Sequence, residues 1–160
     1  MTYEIILKAI PWRTNRSFLG LGNIVLIRDA NKNILIDTGH YGDRKFLLQA
    51  LEERHLTPDD IDIVILTHCH FDHVMNVDLF KKSQVLVSKT EYDYAINLHT
   101  KDEMKRKNNK NSLVPEDIFT PTYIKDILDK VNLKTVCGDE AVTKNVKLVK
   151  TPGHTPGHIS

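Results

Sequence analysis

Apolar and polar positions change period several times along this chain, and each change marks a predicted element. Tyr3 to Lys8 mixes β-branched and long apolar residues and predicts a strand. Asn23 to Arg28 and Asn33 to Thr38 are two further apolar runs separated by Asp29-Ala30-Asn31-Lys32, the pattern of a hairpin. From Asp43 the period lengthens. Phe46, Leu47, Ala50 and Leu51 fall on one face, with Arg44, Lys45, Glu52 and Glu53 elsewhere, which predicts an amphipathic helix to about His55. Thr57-Pro58-Asp59-Asp60 places a capping residue, a proline at the first helical position and an acid at the third, so a short helical turn follows.

Within Ile61 to Thr67, the unbroken run Ile63-Val64-Ile65-Leu66 predicts a strand buried on both faces. Gln84 to Ser88 is another short strand, and Thr90-Glu91-Tyr92-Asp93 has the spacing of a capping box opening a helix. Between His99 and Ser112 Met104 is the single large apolar residue, so this segment is expected to be a mobile or solvated excursion. Ile118 to Val131 returns to helical spacing, interrupted at Pro121, and Val146 to Val149 predicts a last strand. With no internal repeat and no linker, residues 1–160 read as one domain of mixed α/β (α+β) layered class.

Composition narrows the function classes. The 160 residues are 41% hydrophobic and 27% charged, in the range of ordinary globular proteins. Twenty-two Lys and Arg against 21 Asp and Glu give a net charge of +1, without the field of a nucleic-acid or anionic-membrane binder. Neither nucleic acid nor membrane is therefore expected as a partner, and a small-molecule substrate is. Two cysteines are too few for a disulfide framework, the N-terminus lacks a signal-peptide pattern, and no apolar run approaches the ~20 residues of a membrane span. A cytoplasmic location is the expectation.

The eight histidines change the picture, because three stand at 68, 70 and 73 and two more at 154 and 158. Thr67-His68-Cys69-His70-Phe71-Asp72-His73 follows directly on the buried strand. Residues two apart in extended chain point to the same side, so His68 and His70 can grip one ion, while Asp72 and His73 face differently and can hold a second. A catalytic zinc takes three protein ligands and keeps one open position. His154 is the candidate third donor, in Thr151-Pro152-Gly153-His154-Thr155-Pro156-Gly157-His158, where proline stiffens the chain and glycine permits close approach. Crowding three imidazoles and a carboxylate without an ion would leave unsatisfied polar groups or repelling cations. His158 reads as structural, Cys69 as a small buried filler, His40 as a surface loop residue, Tyr92 and Tyr94 as packing residues, and Lys101 to Lys110 as a solvated basic face.

These residues resemble the metallo-β-lactamase superfamily, whose hallmark histidine-x-histidine-x-aspartate-histidine loop is matched by His68, His70, Asp72 and His73. The resemblance extends upstream to Ile36-Asp37-Thr38-Gly39 and downstream to the Pro-Gly-His turn at His154. It implies a four-layer αββα sandwich. It also implies a first metal site of His68, His70 and His154, a second that includes Asp72 and His73, and Asp37 as a supporting residue. After His73 the family commonly carries glycines, and here stand Val74-Met75-Asn76. The family's bridging Asp and last His belong to its second half, and the sequence stops at Ser160. The expectation is therefore an N-terminal portion, about half of the sandwich, with little activity alone, an exposed apolar sheet face, and a homo-oligomer to cover it.

The implied activity is that of a metal-dependent hydrolase in which the ion lowers the pKa of bound water toward ~7 for attack on an ester-like bond. The candidate substrates are a lactone, a thioester or a related group, and Asp72 is the catalytic candidate that orients the hydroxide or shuttles its proton. Zn²⁺ is the expected cofactor, as one or two ions, and Fe²⁺ or Mn²⁺ accept the same donors. Two alternatives stand beside it: a metal-dependent nuclease or phosphodiesterase of the same superfamily, and a noncatalytic fragment or metal-binding interaction module.

Overall fold

The computed structural model describes residues 1–13, 15, 18–107 and 119–160. Its frame is a six-stranded sheet of order β1-β4-β5-β6-β7-β8, formed by β1 (Thr2–Leu7), β4 (Ile24–Asp29), β5 (Lys32–Ile36), β6 (Ile63–Ile65), β7 (Gln84–Ser88) and β8 (Asn132–Val136). The first three are antiparallel, and β5 to β8 run parallel. Ala30 and Asn31 both take positive φ, at 51° and 59°, closing β4–β5 as a two-residue turn of the type that matches strand twist. The predicted hairpin is there. A separate two-stranded ribbon, β2 (Ile10–Arg13) with β3 (Phe18–Leu21), was not expected from the sequence.

One face of the sheet carries Leu26, Leu35, Val64, Leu66, Val85 and Val87 against helices α1 (Arg44–Glu52), α3 (Lys89–Lys107) and α4 (Ile124–Leu128). Leu47, Ala50 and Leu51 of α1 are buried at spacings of three and four, each leucine contributing about 1.5–3 kcal/mol. Phe46, expected on the same face, is 58% exposed because the helical period turns it away from that stripe. The helix closes where His55 takes φ 57° and Leu56 N–H reaches back to the Leu51 carbonyl.

The other face carries Ile34, Ile63, Ile65, Leu86 and Val136, all buried beneath Val142, Val146, Leu148 and Ile159. The expected bare face is thus covered across β5 to β8, while Tyr3 and Ile5 of the edge strand β1 remain exposed. Val146 to Val149 is not a strand. The segment makes only isolated bridges, Ala141 with Lys147 and Lys150 with Ile159, and drops Leu148 into the core. The helical stretch expected over 118–131 is reduced to α4, and residue 118 lies outside the described residues. The backbone over 99–107 is the continuation of α3 rather than an irregular excursion, and residues 108–112 lie outside the described residues. No described helix is long and apolar enough to cross a membrane.

Candidate metal centre

The site lies at the C-terminal ends of β5, β6 and β7, where three parallel strands release their chains into loops. Beyond β6 the chain bends at Thr67 and reaches His70, which is extended at φ −72° and ψ 154° and is the N-cap of the short helix α2 (Phe71–Val74), so Asp72 and His73 sit on helical turns. The 37–40 loop is tied to α2 by Thr38 N–H to the His73 carbonyl at 2.6 Å and by the buried Asn76, whose amide donates to the carbonyls of Thr38 and His40, each at 2.8 Å. Residues 74–76, which depart from the family's glycines, therefore have work of their own: Val74 fills the core and Asn76 staples a loop.

Three histidines converge. The rings of His68, His70 and His154 form a triangle with centroids 4.5, 4.7 and 4.8 Å apart. Their ligand atoms all lie within 4.8 Å of one another, the one group of three or more potential metal donors found among the described residues. Asp72 and His73 stand beside it and pair with each other, Oδ2 to Nε2 at 3.3 Å. His158 meets Thr151, Oγ1 to Nδ1 at 2.8 Å, and its ring lies 5.1 Å from that of His68.

The donor set suits a divalent ion on physical grounds. Asp37 accepts from the Thr67 backbone N–H and from the Thr67 hydroxyl, both at 2.8 Å. With its one proton committed to the carboxylate, Thr67 Oγ1 meets His68 Nδ1 at 3.0 Å as an acceptor, which places the ring proton on Nδ1. His68 Nε2 is then a lone-pair nitrogen, buried and without a hydrogen-bond partner among the described residues. Burial, reinforced by His73, His70, His154 and His158, drives the His68 pKa down to about 2, so the ring stays neutral. A neutral buried imidazole with an unused lone pair is what a metal ligand requires.

His73 is the opposite case. Burial works against its charge, but hydrogen bonds to Asp37, at 2.7 Å, and to Asp72 outweigh it and raise the pKa to about 10. Burial likewise acts to raise the Asp72 carboxyl, and the His73 hydrogen bond overrides it, holding Asp72 below the usual range. These shifts fix a pH dependence for the metal-stripped protein. His73, raised, contributes stability that is full below its unfolded value near 6.5 and is lost as pH rises through about 10. His68, depressed to about 2, is neutral when folded and protonates when unfolded, so stability falls as pH drops below 6.5. Urea midpoints measured in excess EDTA are expected to peak near pH 6.5 and fall on both sides; a midpoint still rising from pH 7 to 9 would contradict the His73 pairing.

A cavity of about 320 Å³ opens onto the cluster between Gly20, Leu21, Gly22, Phe71, Phe119 and His154. Gly22 is there by necessity, since a Cβ would stand 2.5 Å from the His73 ring. Phe119 stacks on Phe71 at 6.1 Å and accepts the Phe71 N–H at its carbonyl. A wider groove of about 780 Å³ adjoins the far side of these two rings. His40, expected as an ordinary surface residue, lines that groove and packs edge-on to Phe71 at 5.4 Å while its Nδ1 caps a turn at Gly42. Cys69 is the buried filler expected, its thiol pushed well up by burial. The side chains of 101–107 and residues 108–110 lie outside the described residues, and with them the solvated basic face expected over Lys101 to Lys110.

The metallo-beta-lactamase superfamily profile matches residues 18–160. The chain belongs to that superfamily. It is similar to the N-acyl homoserine lactonase AiiA of Bacillus thuringiensis subsp. kurstaki, 35% identical over 71% of this chain and 37% of the relative. It is also similar to a probable metallo-hydrolase of Methanocaldococcus jannaschii, 29% identical over 79% of this chain and 44% of that protein. Among solved structures, one assigned to the metallo-beta-lactamases, from Thermotoga maritima, superposes with TM-score 0.71 over 98% of this chain and 69% of its own, at 22% identity. A dizinc quorum-quenching lactonase, AidC, gives TM-score 0.67 at 25% identity over 89% of this chain and 52% of its own. The chain thus has the metallo-beta-lactamase fold and spans well under two thirds of the length of these two sequence relatives.

Proposed function

We propose that residues 1–160 act as one metallo-beta-lactamase-like unit of a metal-dependent hydrolase that opens a lactone or a related ester-like bond. His68, His70 and His154 hold one divalent ion, with Zn²⁺ the expected metal, and Asp72 and His73, paired with each other in the metal-free site, supply donors for a second ion once it displaces the proton between them. The observation that carries the reading is the orphaned lone pair of the neutral, buried His68 within the three-histidine triangle. The lactonase relatives support the lactone among the ester-like candidates.

When bound, a divalent ion acts there as a Lewis acid, polarising a carbonyl oxygen and bringing the pKa of water down to about 7. The protein's own residues do the rest. Asp72, held ionised and lining the cavity beside the triangle, orients the attacking water and takes its proton. Asp37 fixes His73 and, through Thr67, the tautomer of His68. Phe71 and Phe119 give the cavity apolar walls that pack the substrate and keep bulk water out.

The test compares an N-acyl homoserine lactone, a simple thioester and a phosphodiester, each with protein that is metal-loaded or EDTA-treated. Lactone opening that stops with EDTA and returns with Zn²⁺ is the expected outcome. Turnover of the phosphodiester alone would establish the nuclease-type alternative. Bound metal with no turnover of any ester would mean a metal-binding module.

A further inference from the structure

We infer that Glu91 is the positioning residue that holds the two ligand-bearing loops in register, and so sets the affinity of the His68, His70 and His154 cluster for a divalent ion. The inference rests on the metal assignment proposed for those histidines and concerns how the trio is assembled. Glu91 stands in the first turn of α3 and is fully buried. A buried carboxylate is costly unless its oxygens are used. Here they are used on both loops. Oε1 accepts from the backbone N–H of Cys69 at 3.0 Å, the residue between His68 and His70. Oε2 accepts from the Thr155 hydroxyl at 2.7 Å and from the Gly157 N–H at 3.1 Å, and Thr155 follows directly on His154.

One carboxylate thus grips the backbone or the neighbour of all three candidate ligands while acting only through other residues. Gly157 gives an independent sign of the same docking. A Cβ at that position would lie 2.1 Å from the Glu91 nitrogen and 2.5 Å from its Cα, so the loop rests on the start of α3 with no room for a side chain. The need for such a clamp is evident at His154, which is exposed, whereas His68 and His70 are buried. An exposed ligand on a loop binds tightly only when its loop is fixed beforehand. The second link is backbone alone, from Ile159 N–H to the Thr67 carbonyl at 3.0 Å.

The experiment measures the Zn²⁺ dissociation constant by competition with a chelating dye for the wild type, Glu91→Gln, His154→Ala and the double variant. Thermal unfolding is recorded for each in EDTA. Glutamine keeps the shape but turns one acceptor into a donor, leaving at least one of the three donors unmatched. We expect Glu91→Gln to weaken Zn²⁺ binding by about 10–100-fold, the range for residues that orient ligands. In the His154→Ala background the same change should cost less, because one of the two loops it fixes no longer carries a ligand while the Cys69 contact still holds the other. Thr155→Val, which removes a single donor, should weaken binding several-fold and decides the matter if Glu91→Gln fails to fold. Wild-type affinity in Glu91→Gln, or in Thr155→Val where that variant decides, overturns the inference. So does a Glu91→Gln loss of equal size with and without His154, the signature of general destabilisation. A wild type that binds no Zn²⁺ overturns the metal assignment itself, and this inference with it.

Discussion

His68→Ala is expected to leave the purified protein with less than about a tenth of the wild-type metal, and His154→Ala to do the same. Each removes one corner of the three-histidine triangle, and three protein ligands are what a catalytic zinc site takes. Residues that merely orient ligands already change affinity by about 10–100-fold, so loss of a ligand should exceed that range. The two variants should differ in one respect. His68 is buried and its Thr67 contact is part of the Asp37 relay, so its removal also disturbs the surrounding loop. His154 is exposed, and its removal should leave metal-free stability nearly unchanged. Elemental analysis of both proteins, beside urea unfolding in EDTA, checks the pair. Unchanged metal content in both would remove the assignment.

The largest loss of stability is expected for Asp37→Ala, by about 3–5 kcal/mol in the metal-free protein at pH 7, the range for stripping one partner from a buried ion pair. Asp37 is 3% exposed, and its carboxylate serves the Thr67 N–H, the Thr67 hydroxyl and the His73 ring at once. Without it His73 loses the partner that most raises its pKa and keeps Asp72 alone as counter-charge. The backbone adds to the loss. Asp37 takes φ 60°, a left-handed conformation that aspartate tolerates better than alanine. Asp37→Asn keeps the shape and should lose less. Urea unfolding in EDTA reads both, and a loss below about 1 kcal/mol for the alanine variant would mean that His73 finds another partner.

The sheet was legible where patterning is strong. The run Ile63 to Leu66 and the Ala30-Asn31 turn announce β6 and the β4–β5 hairpin through burial and turn chemistry alone. The three-histidine group was legible because its residue types have few other uses at that spacing. What escaped was held by distant partners. Strand β8, with Lys134 and Thr135 exposed, has no apolar alternation to betray it and exists because β7 offers a free edge. Val146 to Val149 looked like a strand and packs instead as a bridge-forming loop over Ile34 and Ile65. Glu91 was visible only as an inner residue of the capping-box spacing at 90–93, whereas α3 starts at Lys89 and the Glu91 N–H donates to Ser88 Oγ, and Phe119 was visible only as part of a helical period. Their contacts reach Thr155 and Phe71, and a capping pattern carries no record of such partners. The local hint was Gly157, since close approach needs a surface to approach; Gly153, where glycine was also expected to permit close approach, faces open space.

The Glu91 bridge also sets an order of events. Its bonds to Thr155 and Gly157 span 64 and 66 positions, whereas His68 and His70 are neighbours on a loop that needs only the adjoining strands. Closing so long a segment is slow compared with forming local structure. A site that uses all three histidines would therefore be complete only once the 154–157 loop docks. The rate at which metal binding tightens during refolding would then report when residues 154–157 find their seat against Glu91.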